Sequence, residues 1–284
     1  MYAVSPLRYP GAKWRLEGFI GAILEDNNLS GSHYAEPYAG GASLALSLLY
    51  SGQVSEIHLN DLDRSVWAFW KCSLEHTNEL IARIRSTKVT IEEWYLQKEI
   101  QAEKQSASIL DLGFSTFFLN RTNRSGILSA GVIGGKGQTG KWKIDARFNK
   151  SDLIERVLRL KKFSSQIHLT RLDASTFIRR RSASLPQKAS LLYLDPPYFR
   201  KGEELYLNSY RPVDHANVAS LVTTGVAIPW IVSYDDVPEI RSLYRSVRRF
   251  RYVLRYSASS TRRGKEVVFL KQGLKARAPL LAGA

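Results

Sequence analysis

The chain has 284 residues, enough for a full α/β core or for one domain carrying a sizeable insertion. Its single cysteine, Cys72, excludes an intramolecular disulfide and fits a reducing cytoplasm; no signal peptide stands at the N-terminus and no apolar stretch is long enough to span a bilayer. Lys and Arg number 41 against 26 acids, and the net charge of +15 favours a polyanionic partner, most simply nucleic acid, over a membrane surface, for which no basic amphipathic helix or lipidation signal stands out.

In chain order, Tyr34-Ala35-Glu36-Pro37-Tyr38 reads as a strand end. The turn Ala39-Gly40-Gly41-Ala42-Ser43 follows, then helical apolar density from Leu44 to Tyr50. Strand, glycine turn and helix make the first half of a nucleotide-binding βαβ unit. A second strand, Ile57-His58-Leu59, ends in Asn60-Asp61-Leu62-Asp63 about 20 residues past the glycines, a spacing that suits a carboxylate on ribose hydroxyls. A helix from Arg64 to about Glu75 comes next.

From residue 76 to 150 the pattern changes, and the segment reads as an insertion between the halves of a sheet. It is helix-favouring around Ile91 to Lys98, loop-like after Asn120, and glycine-rich and basic from Gly131 to Lys143. Strand signals return at Gln166 to Leu172, Ser190 to Leu194, Ala227 to Ser233, Phe250 to Tyr256 and Glu266 to Leu270. Helices intervene near Ser175–Arg181, His215–Val222 and Pro238–Tyr244. The alternation argues for a largely parallel sheet, with the last two strands antiparallel across a short polar loop, Ser257 to Lys265. The expected division is a core of residues 1–75 and 151–284 with an insertion of 76–150.

The most informative residues are Asp195-Pro196-Pro197-Tyr198, directly after the apolar run Ser190 to Leu194. In open α/β sheets ligands bind beyond the carboxyl ends of the strands. This loop offers an acid, a carbonyl fixed by two prolines and an aromatic face, a set suited to an exocyclic amino group on a planar base. The Gly40-Gly41 turn lacks the G-x-G-x-x-G spacing of dinucleotide enzymes. Glu36 before it would repel a pyrophosphate but could face a cationic ligand, which tilts the choice toward a sulfonium cofactor with an amino-acid tail; taken alone, the turn also fits a tight strand-to-helix connection with no ligand.

Gly135 to Lys141 has P-loop spacing, but Trp142 stands where Mg²⁺ coordination needs Ser or Thr, and a basic loop lying on phosphates is the more natural reading. The five histidines (His33, His58, His76, His168, His215) are scattered, and with one cysteine they show no metal-ligand spacing, so no metal is expected. The stretch through Arg245, Arg248, Arg249 and Arg251 reads as a phosphate-contacting surface rather than a solvated face.

Several motifs then agree in order: Tyr9-Pro10-Gly11-Ala12-Lys13, Glu36 to Gly41, Asn60-Asp61, Asp173, and Asp195 to Tyr198. Together they resemble the Dam-like, class-alpha DNA adenine N6-methyltransferases over nearly the whole chain, including Phe118-Leu119-Asn120-Arg121 and Ser125-Gly126 at the start of that family's target-recognition region. The resemblance implies an α/β, Rossmann-like fold that uses S-adenosylmethionine (SAM), built on a seven-stranded mixed sheet with helices on both faces and a largely helical target-recognition insertion. It implies that Tyr9, Pro10, Gly11 and Lys13 close over the cofactor and that Glu36, Pro37, Tyr38, Gly40 and Gly41 line its methionine moiety. Asp61 would hold the ribose and Asp173 the adenine ring, while Asp195, beside the cofactor, joins Pro196, Pro197 and Tyr198 in taking the target base.

On the same footing, Asn120, Arg121, Asn123, Arg124, Ser125, Lys136, Lys141, Lys143, Arg262 and Arg263 are the expected DNA contacts. The chain departs from the pattern at Arg124-Ser125-Gly126, where members that read GATC carry an aromatic residue and Asn before the Gly, so GATC specificity does not carry over. The expected activity is transfer of methyl from SAM to the N6 amino group of a flipped-out adenine in double-stranded DNA. The expected protein is a cytoplasmic monomer with no membrane role, and a cognate restriction endonuclease is a conceivable partner. Rival readings are the same chemistry on RNA or on cytosine N4, and a DNA-binding protein without catalysis.

Overall fold

The computed structural model describes residues 4–8, 13–200, 210–258 and 260–277, with side chains throughout except at 254–263. Tyr9, Pro10 and Gly11, and the side chains of Arg262 and Arg263, lie outside the described residues. Two compact units emerge: residues 1–10 with 62–171, and residues 11–61 with 172–284.

Seven strands form the sheet: β1 (Ser32–Glu36), β2 (Val54–Asn60), β3 (Ile167–Thr170), β4 (Ser190–Leu194), β5 (Trp230–Asp235), β6 (Arg248–Ala258) and β7 (Ser260–Leu270). Their order is β3-β2-β1-β4-β5-β7-β6. β1 runs parallel to β2 and to β4, and β4 parallel to β5, whereas β7 is antiparallel to both β5 and β6. β4 is buried along its whole length, as its unbroken apolar sequence requires of a central parallel strand. The order reverses between β1 and β4, so the crevice beyond their carboxyl ends is the topological switch point where open α/β sheets bind ligands.

The expected polar loop from Ser257 to Lys265 is paired strand instead. Arg255 faces Arg263 and Ala258 faces Ser260 across the hairpin. Ladder hydrogen bonds come from the backbone, so a polar, arginine-rich stretch can extend a ribbon that its side-chain pattern does not announce.

In the unit of residues 11–61 and 172–284, a short 3-10 turn (Lys13–Leu16) leads into α1 (Glu17–Asp26). α2 (Ser43–Tyr50) follows β1, α8 (Ala174–Ser184) precedes β4, and α9 (Pro212–Gly225) and α10 (Pro238–Leu243) flank β5. Both α9 and α10 begin on a proline, whose missing N–H costs a helix nothing in its first turn.

The other unit is helical: α3 (Arg64–Glu75), α4 (Thr77–Ser86), α5 (Ile91–Ala102), α6 (Ile109–Thr122) and α7 (Lys150–Lys162). Four of these helices, all but α4, start on polar caps that the sequence displays. Asp63 accepts from Ser65 N at 2.7 Å, Thr90 from Glu93 N at 3.2 Å, Ser108 from Asp111 N at 3.1 Å and Asn149 from Asp152 N at 3.3 Å. Every residue of α6 from Leu112 to Thr122 is buried, which makes it the axis of the unit. α3 packs on it directly: the Phe69 and Phe117 rings stack at 5.9 Å, and a Cβ at Gly113 would lie 2.8 Å from Ala68 O and 2.8 Å from Cys72 Cβ. This packing gathers α3 and α7 with the helices of the 76–150 segment, so the compact unit is broader than the expected insertion.

A valine at Gly113 would have to push two backbones apart. Gly113→Val should cost about 1–3 kcal/mol from overpacking, with added cost where the helices cannot separate. Chemical denaturation should show it as a lowered midpoint, and an unchanged midpoint would mean that the close approach of α3 and α6 is not a constraint.

Candidate active site

At the switch point, β1 delivers Glu36 and β4 delivers Asp195. Glu36 is 5% exposed and accepts a hydrogen bond from Tyr34 Oη at 3.0 Å. Burial, with the neighbouring Asp195 adding to it, pushes its carboxyl from an ordinary 4.5 to about 8. In the ligand-free protein at neutral pH, Glu36 is therefore mostly protonated, where the sequence suggested a standing carboxylate.

The glycine turn beyond β1 is fixed by its neighbours. Gly40 takes φ 46°, in the left-handed region, and donates its N–H to Asp61 Oδ2 at 2.9 Å. Asn60 at the end of β2 ties three segments together. Its amide nitrogen donates to the carbonyls of Pro37 and Leu172, both at 3.0 Å, and its oxygen accepts from Leu172 N at 2.8 Å. The sequence pairs Asn60 with Asp61 as a motif, but only the register shows that it aligns the glycine turn with the segment leading into Asp173.

Asp173 is exposed and caps α8, with Oδ1 accepting from Ser175 N at 3.0 Å and Thr176 N at 3.2 Å. Tyr38 is half-buried and its hydroxyl meets that of Tyr210 at 2.9 Å; Pro37 and Gly41 are buried.

Asp195 has a side chain 19% exposed, and its Oδ1 meets the hydroxyl of Ser233 on β5 at 2.9 Å and Lys13 Nζ at 3.2 Å. Among the described residues nothing engages its Oδ2. Burial raises the Asp195 pKa, against which Lys13 and the Ser233 hydroxyl act. Burial likewise works against the charge of Lys13, but Asp195 and Glu266 outweigh it and hold its pKa well above the ordinary lysine value.

Glu266, 1% exposed on β7, is the group that sequence reading missed. Its Oε1 accepts from Tyr198 Oη at 2.5 Å, and its Oε2 accepts from Tyr252 Oη at 2.6 Å and from Lys13 Nζ at 2.7 Å. Tyr198 is itself only 5% exposed, and its hydroxyl also accepts from Lys13 Nζ at 2.8 Å. Pro196 and Pro197 are buried beside it. Asp235, at the end of β5, holds the next residues by accepting from Phe199 N at 3.0 Å and Arg200 N at 3.2 Å. A lone acid heading an apolar strand was the available signal for Glu266; nothing marked Asp235.

In the helical unit, three expected DNA contacts have internal roles. Asn120, 4% exposed, pairs with Arg8 through both backbone atoms, at 2.7 Å each, and donates to Gly126 O at 2.8 Å. Arg121, 7% exposed, donates from Nε to Pro6 O at 2.7 Å. Asn123, fully buried, accepts from Trp94 Nε1 at 2.6 Å and donates to the carbonyls of Ile127 and Leu128. Arg124, Lys136, Lys141 and Lys143 are exposed, and Ser125 is half-buried at φ 56°. Beside them stand exposed aromatics: Trp142, with Lys141 Nζ 5.7 Å from its ring, and Tyr95, with Lys136 Nζ 5.6 Å away. The segment with P-loop spacing consists of turns, with neither a strand before it nor a helix opened by it.

A parallel sheet closed by an antiparallel β7, an acid-and-glycine turn after β1, and an acid beyond β4 define a Rossmann-like methyltransferase. The chain belongs to the D12 class N6 adenine-specific DNA methyltransferase family, whose model matches residues 9–258. No curated protein matches the sequence. Among solved structures, the chain is similar to the rRNA methyltransferase aviRa from Streptomyces viridochromogenes, at TM-score 0.40 and 15% identity over 93% of this chain and 86% of that one. It is also similar to M. capricolum TrmK in complex with S-adenosylhomocysteine, at 0.37 and 6% over 88% and 68%, and to TrmN from Thermus thermophilus, at 0.37 and 12% over 88% and 47%.

The protein is thus an adenine-specific DNA methyltransferase with SAM as methyl donor. The donor set fits that cofactor: a buried carboxyl poised to ionise beside a cation, a turn of buried glycines, and a second acid at the end of β2.

A cation arriving at Glu36 favours its ionised form and should displace a proton at pH 7. Calorimetric titration with SAM in buffers of different ionisation enthalpy should reveal that release, fading above pH 8, and Glu36→Gln should abolish it. In the ligand-free protein the raised pKa has the opposite linkage: the stability it lends is full below pH 4.5 and declines as pH rises to about 8. Glu36→Gln should remove that portion of the decline; an identical pH profile in the variant would refute the shift.

Proposed function

We propose that the substrate is an adenine flipped out of duplex DNA and that Asp195 is the group that receives its amino nitrogen. What carries this reading is the asymmetry of that carboxylate. Oδ1 is pinned by Ser233 and Lys13, which fixes the plane of the group, while Oδ2 remains available to a ligand. Lys13 and the Ser233 hydroxyl act against the rise in pKa that burial imposes on Asp195, which favours its role as an acceptor.

An adenine amino nitrogen is a poor nucleophile because its lone pair is delocalised into the ring. With one N–H accepted by Asp195 Oδ2 and the other by the Pro196 carbonyl, the nitrogen pyramidalises and its lone pair is freed. SAM supplies an electrophilic methyl on a sulfonium, so placement and electrostatics matter more than a strong base. As the N–C bond formed, the sulfonium's S–C bond would break to leave a neutral thioether, and the amino proton would pass to Asp195 Oδ2 and on to solvent. The base must leave the duplex stack because its amino group is paired there. Tyr198, anchored through its hydroxyl by Glu266, offers a fixed ring to the incoming base.

Glu36 and Asp61 hold the cofactor's charged and hydroxylated ends, with the Pro37–Gly41 turn between them. Asp173 takes its adenine through the oxygen not used in capping α8. Lys13, expected over the cofactor, instead serves the catalytic acid in this reading.

The helical unit supplies recognition. Arg124 and Ser125 read the target, and Lys136, Lys141 and Lys143 contact phosphates, with Trp142 and Tyr95 as adjacent stacking surfaces. Asn120, Arg121 and Asn123 shape that surface from beneath. The protein acts as a cytoplasmic monomer, and among the described residues no helix is long and apolar enough to cross a membrane.

The test is incubation with SAM and unmethylated duplex DNA, digestion to nucleosides and mass spectrometry. N6-methyladenine from duplex but not from RNA supports the reading; methylation of RNA alone overturns it. Asp195→Ala should lower turnover by several orders of magnitude with SAM binding retained, and near-wild-type turnover would remove Asp195 from its role. Arg124→Ala should weaken DNA binding or change the methylated sequence while cofactor affinity holds. If motif and DNA affinity both stayed fixed, Arg124 would not be a recognition residue.

A further inference from the structure

Parallel pairing of β1 and β2 brings together two histidines 25 residues apart that the sequence presents as scattered. His33 on β1 lies opposite Glu56 on β2, and Ala35 lies opposite His58, so the three side chains share one face of the sheet. His33 Nδ1 is 3.1 Å from His58 Nε2 and 3.6 Å from Glu56 Oε2. One ligand atom from each residue lies within 4.8 Å of the other two. His58 is buried, while His33 and Glu56 are 26% and 37% exposed.

These spacings are those of a coordination sphere. Four ligands at about 2.0–2.1 Å around a tetrahedral ion stand about 3.3 Å apart, between the two separations. Two imidazoles and one carboxylate make a set preferred by zinc and its transition-metal neighbours; all-oxygen spheres are the preference of magnesium and calcium.

We propose that His33, Glu56 and His58 bind a zinc-class divalent metal ion, with the fourth position open to water on the accessible side. His33 stands near the start of β1, whereas Glu56 and His58 occupy the middle of β2, so the site spans the body of the β1–β2 pair rather than the turns beyond Glu36 and Asn60. Its role is to clip together the two strands that carry the cofactor turn and the Asn60-Asp61 end; it takes no part in methyl transfer.

The protein freed of metal by chelator should bind one equivalent of Co²⁺ with the intense visible bands of a four-coordinate centre, and Zn²⁺ should displace it. Zn²⁺ should also raise the melting temperature. His33→Gln and Glu56→Gln, both at partly exposed positions, should keep the fold and weaken Zn²⁺ binding at least tenfold. X-ray absorption of the zinc-loaded wild type supplies an answer independent of any variant: a shell of nitrogen and oxygen with imidazole scattering supports the site, and a sulfur shell from Cys72 overturns it. Absence of saturable one-equivalent binding, or binding unchanged in both variants, would equally show that the two imidazoles only share a hydrogen bond.

Discussion

The carboxylate of Glu266 holds the active end of this enzyme together. It receives Tyr198 from the loop after β4, Tyr252 from β6 and Lys13 from the segment before α1, and Lys13 in turn reaches Asp195. A buried carboxylate without partners would cost several kcal/mol in desolvation, so a charge here persists only if its surroundings supply both a cation and donors. All three are present, which makes the cluster an arrangement that is stable only when complete. Removing one partner from such a buried group typically costs about 3–5 kcal/mol, more than a surface ion pair could contribute. Because the same lysine touches both acids, Asp195 and Glu266 share one cation, and the geometry of each depends on the other.

Around this cluster the sheet topology does the placing. The reversal of strand order between β1 and β4 sets Asp195 near enough to Glu36 to raise its pKa further, and the loops beyond both strands are held in place by burial. Burial raises the pKa of both carboxyl groups, but their partners differ: Asp195 has a lysine and a serine hydroxyl, whereas Glu36 has a tyrosine hydroxyl and the Ala45 backbone, and its pKa reaches about 8. Environment, not residue type, separates the two acids.

Most of the fold was legible in the sequence because its signals are local. β4 and α3 fall on the residues that the apolar run and the capping Asp63 mark, and the motif order is a property of the chain itself. What could not be read depends on residues meeting across the fold. The contacts of Glu266 and Asp235 with the loop after β4, and the His33–His58 approach, arise only when distant strands meet, which no local pattern encodes. Asn120, Arg121 and Asn123 were misleading for the converse reason. Polar residues near a basic loop suggest DNA, but each satisfies backbone groups inside the helical unit, as buried amides and guanidinium groups must. The burial of α6 on all sides likewise has no amphipathic signature, and the unit therefore reaches farther along the chain than composition indicated.

The fastening of the glycine-rich loop has an evolutionary consequence. Its start is stitched to the end of α6, with Ile133 N donating to Thr122 O at 2.8 Å and Arg124 N to Gly131 O at 3.0 Å. Its far end is secured where Ile144, 6% exposed, donates its N–H to Gln138 Oε1 at 2.8 Å. Between those anchors the chain makes turns, and lengthening a closed loop adds only about 0.6 kcal/mol per doubling. The segment from 134 to 143 is thus an adjustable insert: provided a Gln138-like anchor is kept, its length and other side chains can change while the Thr122–Ile133 and Arg124–Gly131 backbone bonds stay in place.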